Sequence, residues 1–118
     1  MLLSHMHVVS NFMEFDPSPP HQITGFTPPL IHTLNKGIVK LENTPFCDQA
    51  DVRNNVIVIG DSIGDLEMGS TLNHRTRLTI GFLNQNIPAN LEEYTDKFDI
   101  VLTNDSAFDW LNSFLSLL

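Results

Sequence analysis

Cationic side chains are scarce in this 118-residue sequence: six Lys and Arg stand against 14 Asp and Glu, a formal charge of −8. Apart from Arg75 and Arg77 they are scattered singly, whereas binding to a phosphate backbone requires them clustered. A nucleic acid polymer is therefore not expected as a partner. Cysteine is limited to Cys47, which excludes an internal disulfide framework and suits a reducing, cytoplasmic setting. No apolar run approaches the roughly 18 residues of a membrane span. The opening MLLSHMHVV has neither the basic n-region nor the apolar length of a signal peptide, so no membrane association is expected. Trp and Tyr occur once each, yet eight Phe help bring the apolar share to 42%. That is too apolar for a disordered chain and sufficient for a core in a chain of domain size.

Five of the seven prolines fall between positions 16 and 29. Because proline cannot donate to a strand ladder, this stretch reads as a loop flanked by short edge strands. Residues 12–15 and 23–26 are expected to pair as hairpin arms around it, and residues 7–11 (HVVSN) to form a short buried strand. From Asn54 onward the pattern is cleaner. The β-branched run Val56-Ile57-Val58-Ile59 ends at Gly60, the mark of a strand buried on both faces. A helix is expected from 62 to about 72 with Leu66, Met68 and Gly69 inward, then a strand over 78–82. Pro88 suits the first position of a helix running to about 96, and residues 99–102 give a third strand. Asp105 or Ser106 is expected to cap a last helix whose Trp110, Phe114 and Leu118 recur every four residues and face the core. Alternation of strands and helices implies an α/β architecture, a parallel sheet flanked by helices with right-handed crossovers. The chain divides into a segment 1–53, with strand, Pro-rich hairpin and lysine-bearing stretch, and a βαβαβα segment 54–118.

Gly60-Asp61-Ser62-Ile63-Gly64-Asp65 follows directly on the buried strand. Open α/β sheets bind ligands at the carboxyl ends of their strands, which is where Asp61 falls. Asp65, in the first turn of the next helix, can turn its carboxylate to the same pocket. Two carboxylates beside a helix start suit a hard, oxygen-seeking cation such as Mg²⁺ rather than zinc, which takes paired Cys or His ligands. The same spacing also satisfies a simpler role, since Ser62 followed three residues later by Asp65 is a capping-box-like helix start.

Lys36, 25 residues before Asp61, is the second candidate. An ammonium near such carboxylates can neutralise a phosphoryl group as a compact point charge, although most lysines simply solvate a surface. The five histidines show no i, i+4 pairing that would suggest a metal site. Cys47 has no activating base nearby in sequence and is expected to be buried. Ser10 lacks the Gly-x-Ser-x-Gly setting of a nucleophile elbow.

Taken together, the residues carry a family resemblance. GDSIGDLEM after VIVIG resembles the fourth motif of the haloacid dehalogenase superfamily of phosphotransferases. More narrowly, VVSNFMEFD, ITGF, PLIHTLNK, GDSIGDLEM, IGFLN and YTDKFDIVL, in that order, resemble the C-terminal part of cytosolic pyrimidine 5′-nucleotidases. Relatives that prefer 7-methylguanosine monophosphate share these blocks. The resemblance implies a Rossmann-like haloacid dehalogenase core acting on nucleoside 5′-monophosphates with Mg²⁺. It implies Asp61 as a metal ligand, Lys36 as the lysine that binds the phosphoryl group and orients the nucleophile, and Asp65 as the second acid supporting both. It further implies a covalent route, in which an aspartate attacks the phosphate and water releases it.

The departures from that family pattern are as informative. The family nucleophile lies in an Asp-x-Asp-x-[Thr/Val] stretch, and no such stretch occurs in these 118 residues. The Ser-Ala-Gly run of the second motif and the cap segment that reads the nucleobase are also missing. In the family sheet the strands bearing the first two motifs lie between the VVSN strand and the VIVIG strand, so an incomplete core with unpaired edges is expected. The reading is a 5′-nucleotidase represented by its C-terminal portion and inactive alone. The alternative is a non-catalytic truncated product that binds Mg²⁺ or phosphate weakly, or that pairs with another chain.

Overall fold

A computed structural model describes residues 6–32, 35, 52–70, 74–104 and 107–118. The expectations placed on Lys36, Cys47, Asp105 and Ser106 lie outside the described residues.

Residues 16–22, with Pro17, Pro19 and Pro20, form the tip of a hairpin, as expected. Strands β1 (Met13–Phe15) and β2 (Ile23–Phe26) pair antiparallel, with Met13 opposite Phe26 and a register shift between Glu14 and Phe15. The base of the hairpin is closed reciprocally. Asn11 Nδ2 donates to the Ile31 carbonyl at 2.9 Å, and the Ile31 N–H donates to Asn11 Oδ1 at 2.7 Å. Residues 7–11, expected as a buried strand, form no strand and are exposed. Apolar, β-branched sequence favours a strand only where a neighbouring ladder exists, and among the described residues none pairs with this segment.

The second half is a three-stranded parallel sheet in the order β3 (Asn55–Gly60), β4 (Thr76–Leu83), β5 (Ile100–Thr103). Helix α1 (Ile87–Lys97) joins β4 to β5, and α2 (Asp109–Leu115) follows β5. Asn86 enters α1 in the left-handed conformation and Pro88 stands in its first turn, where the missing N–H has no partner to lose. The buried core is Val58, Ile80, Leu83, Phe98 and Leu111. Gly81 is buried because the Phe98 ring lies on it: a Cβ there would meet Phe98 Cδ2 at 2.7 Å. Asp99 fastens the end of α1 to β4. Its Oδ2 accepts from the Thr79 N–H and hydroxyl, both at 2.8 Å, and its own N–H donates to Thr79 Oγ1 at 2.9 Å.

Four details depart from expectation. The segment after Asp61 is a 3₁₀ helix, Ile63–Gly69, rather than an α-helix. The Asp65 N–H bonds to the Ser62 carbonyl at 3.0 Å, the i→i+3 pattern that tightens a turn, and Gly64 and Gly69 weaken any α preference. Gly69 faces inward as expected, but Met68 is 43% exposed. In the last helix Leu111 is the buried side chain, while Trp110 is 42% exposed and Leu118 is 82% exposed. Trp110 and Phe114 do stack, with centroids 5.5 Å apart and planes within 2°. Finally, β3 is buried only at Val58; among the described residues no strand covers its outer edge, which leaves it as exposed as an edge strand.

Candidate active site

β3 ends at Gly60, and the chain turns there into the 3₁₀ helix, so Asp61 stands at the carboxyl end of the sheet. A Cβ at Gly60 would collide with the side chain of Asp65. Glycine is required here by close approach: it lets Asp65 fold back over the end of the strand. Asp65 is buried, and its Oδ2 accepts from the Asp61 N–H at 3.0 Å, the Ser62 N–H at 2.9 Å and the Ser62 hydroxyl at 3.1 Å. The helix-capping role anticipated for Asp65 is thus the one its Oδ2 fills. Asp61 is exposed at the mouth.

Both acids line an open cleft of about 490 Å³, with Ile59, Gly60, Phe82, Asn84 and Phe108 as its other walls. Phe82, at the end of β4, and Phe108, before α2, approach at 5.3 Å between ring centroids. Asp61 also borders a neighbouring polar recess of about 440 Å³ lined by Asn84, Gln85, Asn86, Asn90 and Tyr94. The Tyr94 hydroxyl donates to the Asp61 carbonyl at 2.7 Å. Burial raises the Tyr94 phenol above its ordinary pKa, and the charges of Asp61, Asp65 and Glu93 raise it further, so it remains a donor at neutral pH.

Of the residues singled out in the sequence, Asp61 and Asp65 are brought together, and Lys36 lies outside the described residues. Phe82, Asn84, Tyr94 and Phe108 were not singled out. Phe82 and Asn84 could have been marked by their place at the carboxyl end of a strand; Tyr94, 33 residues from Asp61, carries no local signal. Among the described residues no group of three or more His, Cys, Asp and Glu could hold a metal ion. The donor set still fits Mg²⁺, which is commonly held by one or two carboxylates with waters and substrate phosphate completing its shell. Asp61, exposed at the cleft, is one such carboxylate.

A parallel sheet flanked by helices, with an acid at a strand's carboxyl end and a second acid fastening its loop, is a partial α/β fold of the haloacid dehalogenase type. The family model described as pyrimidine 5′-nucleotidase (UMPH-1) matches residues 1–118, and the chain belongs to that family. Among curated relatives, a human 7-methylguanosine phosphate-specific 5′-nucleotidase is 41% identical over 112 residues, covering 94% of this chain and 37% of the relative. The Drosophila melanogaster protein of the same name is 39% identical over 120 residues, covering 100% of this chain and 37% of its own. A crystal structure of cytosolic 5′-nucleotidase IIIB bound to cytidine superposes with a TM-score of 0.84 at 40% identity, covering 98% of this chain and 39% of that one. The chain thus spans a little over a third of the curated relatives it matches. Among the described residues, no helix is long and apolar enough to cross a membrane.

Proposed function

We propose that these residues supply the metal-binding acid and the phosphoryl-binding lysine of a Mg²⁺-dependent 5′-nucleotidase acting on pyrimidine or 7-methylguanosine nucleoside 5′-monophosphates. The observation that carries the reading is Asp61, exposed at the carboxyl end of β3 on a loop held by Asp65 Oδ2 and bordering an open cleft. Asp61 would hold the cation, and Asp65 would keep the loop in place. Bound there, Mg²⁺ would offset charge on the transferring phosphoryl group. Lys36 is assigned to the phosphoryl oxygens, and the aspartate that attacks phosphorus must come from outside these 118 residues, which hold no Asp-x-Asp stretch. Phe82 and Phe108 give the cleft an apolar wall against the rest of the nucleotide. Two facts support the substrate class: the family model's description and the cytidine bound to the structural neighbour. The relatives' names widen it to 7-methylguanosine phosphate. A cytosolic setting accords with the single cysteine and with the name of that neighbour.

The test is phosphate release from CMP, UMP and 7-methyl-GMP with Mg²⁺. The 118-residue chain alone is expected to be inactive, and a longer polypeptide with an Asp-x-Asp-x-[Thr/Val] segment upstream to be active. Robust hydrolysis by the short chain contradicts the placing of the nucleophile outside it. The edge of β3 that no described strand covers favours a second reading, a non-catalytic chain that pairs with another through that edge. Size-exclusion chromatography separates the two, since a well-folded monomer contradicts edge pairing.

A further inference from the structure

Both backbone polar groups of Asp61 are held from outside the residue. Its N–H is bound by Asp65 Oδ2 at 3.0 Å, and its carbonyl oxygen by the Tyr94 hydroxyl at 2.7 Å. The peptide unit that follows is pinned at both ends, because the Ser62 N–H also goes to Asp65 Oδ2 at 2.9 Å. Tyr94 is itself well anchored. It lies on α1, and its ring stacks on Phe98 at 5.4 Å between centroids, while Phe98 is 4% exposed and covers Gly81 of β4. A carboxylate on a loop free to pivot would lose its aim; one whose flanking peptide is fixed to a packed helix keeps it.

We propose that Tyr94 is a positioning residue for Asp61, fixing the peptide plane from which the Asp61 carboxylate is presented to a cation. The proposal rests on the assignment of Asp61 to metal binding. Tyr94→Phe removes the hydroxyl while keeping the ring stack. The probe is Mn²⁺ titrated into the 118-residue chain, read by paramagnetic broadening of the Asp61 and Ser62 amide resonances, with hydrogen exchange of the same amides as a second readout. Tyr94→Phe is expected to raise the apparent Mn²⁺ dissociation constant about fivefold, the size of one hydrogen bond. It is also expected to speed exchange at Asp61 and Ser62 while the β4 amides stay unchanged. Asp61→Asn is expected to abolish the broadening. Unchanged Mn²⁺ affinity together with unchanged exchange in Tyr94→Phe overturns the positioning role. Binding that survives Asp61→Asn, or loop broadening absent from the unsubstituted chain, overturns the metal assignment instead, and exchange then decides the role of Tyr94.

Discussion

Gly60 and Asp65 share a space that only one side chain can fill: a Cβ on the first would collide with the side chain of the second. That proximity explains the order of the motif. The glycine clears the end of β3, the second acid folds into the clearing, and the first acid is left exposed on a loop whose amides the second has gathered in.

Gly60→Ala is therefore expected to destabilise the chain by about 2 kcal/mol, within the range for overpacking a close contact. It should also shift the Ser62 amide resonance as Asp65 is displaced. Urea unfolding and a nitrogen–proton correlation spectrum check both; an unchanged midpoint contradicts the tight placing of Asp65.

The two substitutions of Asp65 should separate. Asp65→Ala strands the part-buried N–H groups of Asp61 and Ser62 and is expected to cost about 1–2 kcal/mol, because each loses a charge-assisted hydrogen bond that water only partly replaces. Asp65→Asn keeps an oxygen acceptor and should cost less than half as much. Equal losses in urea midpoint would contradict a role based on gathering donors.

Asp99 sets an acid limit. The Thr79 hydroxyl and N–H lower its pKa below the usual carboxylate range, with Arg77 adding to the effect against a penalty from burial. A carboxylate whose folded pKa is depressed stabilises fully above its unfolded pKa, about 3.9, and that contribution is lost as pH falls through the lower folded value. Asp99→Asn should thus lower the thermal midpoint at pH 7, and the gap from the parent should narrow below about pH 4. A gap independent of pH contradicts the assignment.

Much of the sheet was legible because its signals are local. The Val56–Ile59 run ending in glycine marks a strand whatever lies around it, and Pro88 marks the start of α1. What was missed depends on partners distant in sequence. The run HVVSN has strand character, but pairing is a tertiary event, and among the described residues it has no pairing strand. A four-residue spacing finds the Trp110–Phe114 stripe without saying which stripe is covered, and Leu111 takes the buried place. The spacing of Asp61 and Asp65 fits a cation pair and a helix cap equally well, and the hydrogen bonds to Oδ2 establish the cap. Tyr94 reaches Asp61 across 33 residues, beyond any local pattern.

The proposal that Asp61 holds the cation of a 5′-nucleotidase site is tested by Asp61→Asn in a longer polypeptide that carries an Asp-x-Asp-x-[Thr/Val] segment upstream. With CMP, UMP and 7-methyl-GMP as substrates, Mg²⁺-dependent phosphate release is expected to fall by about a hundredfold or more, as befits the loss of a charge-stabilising group. Full activity in the Asp61→Asn protein would contradict it.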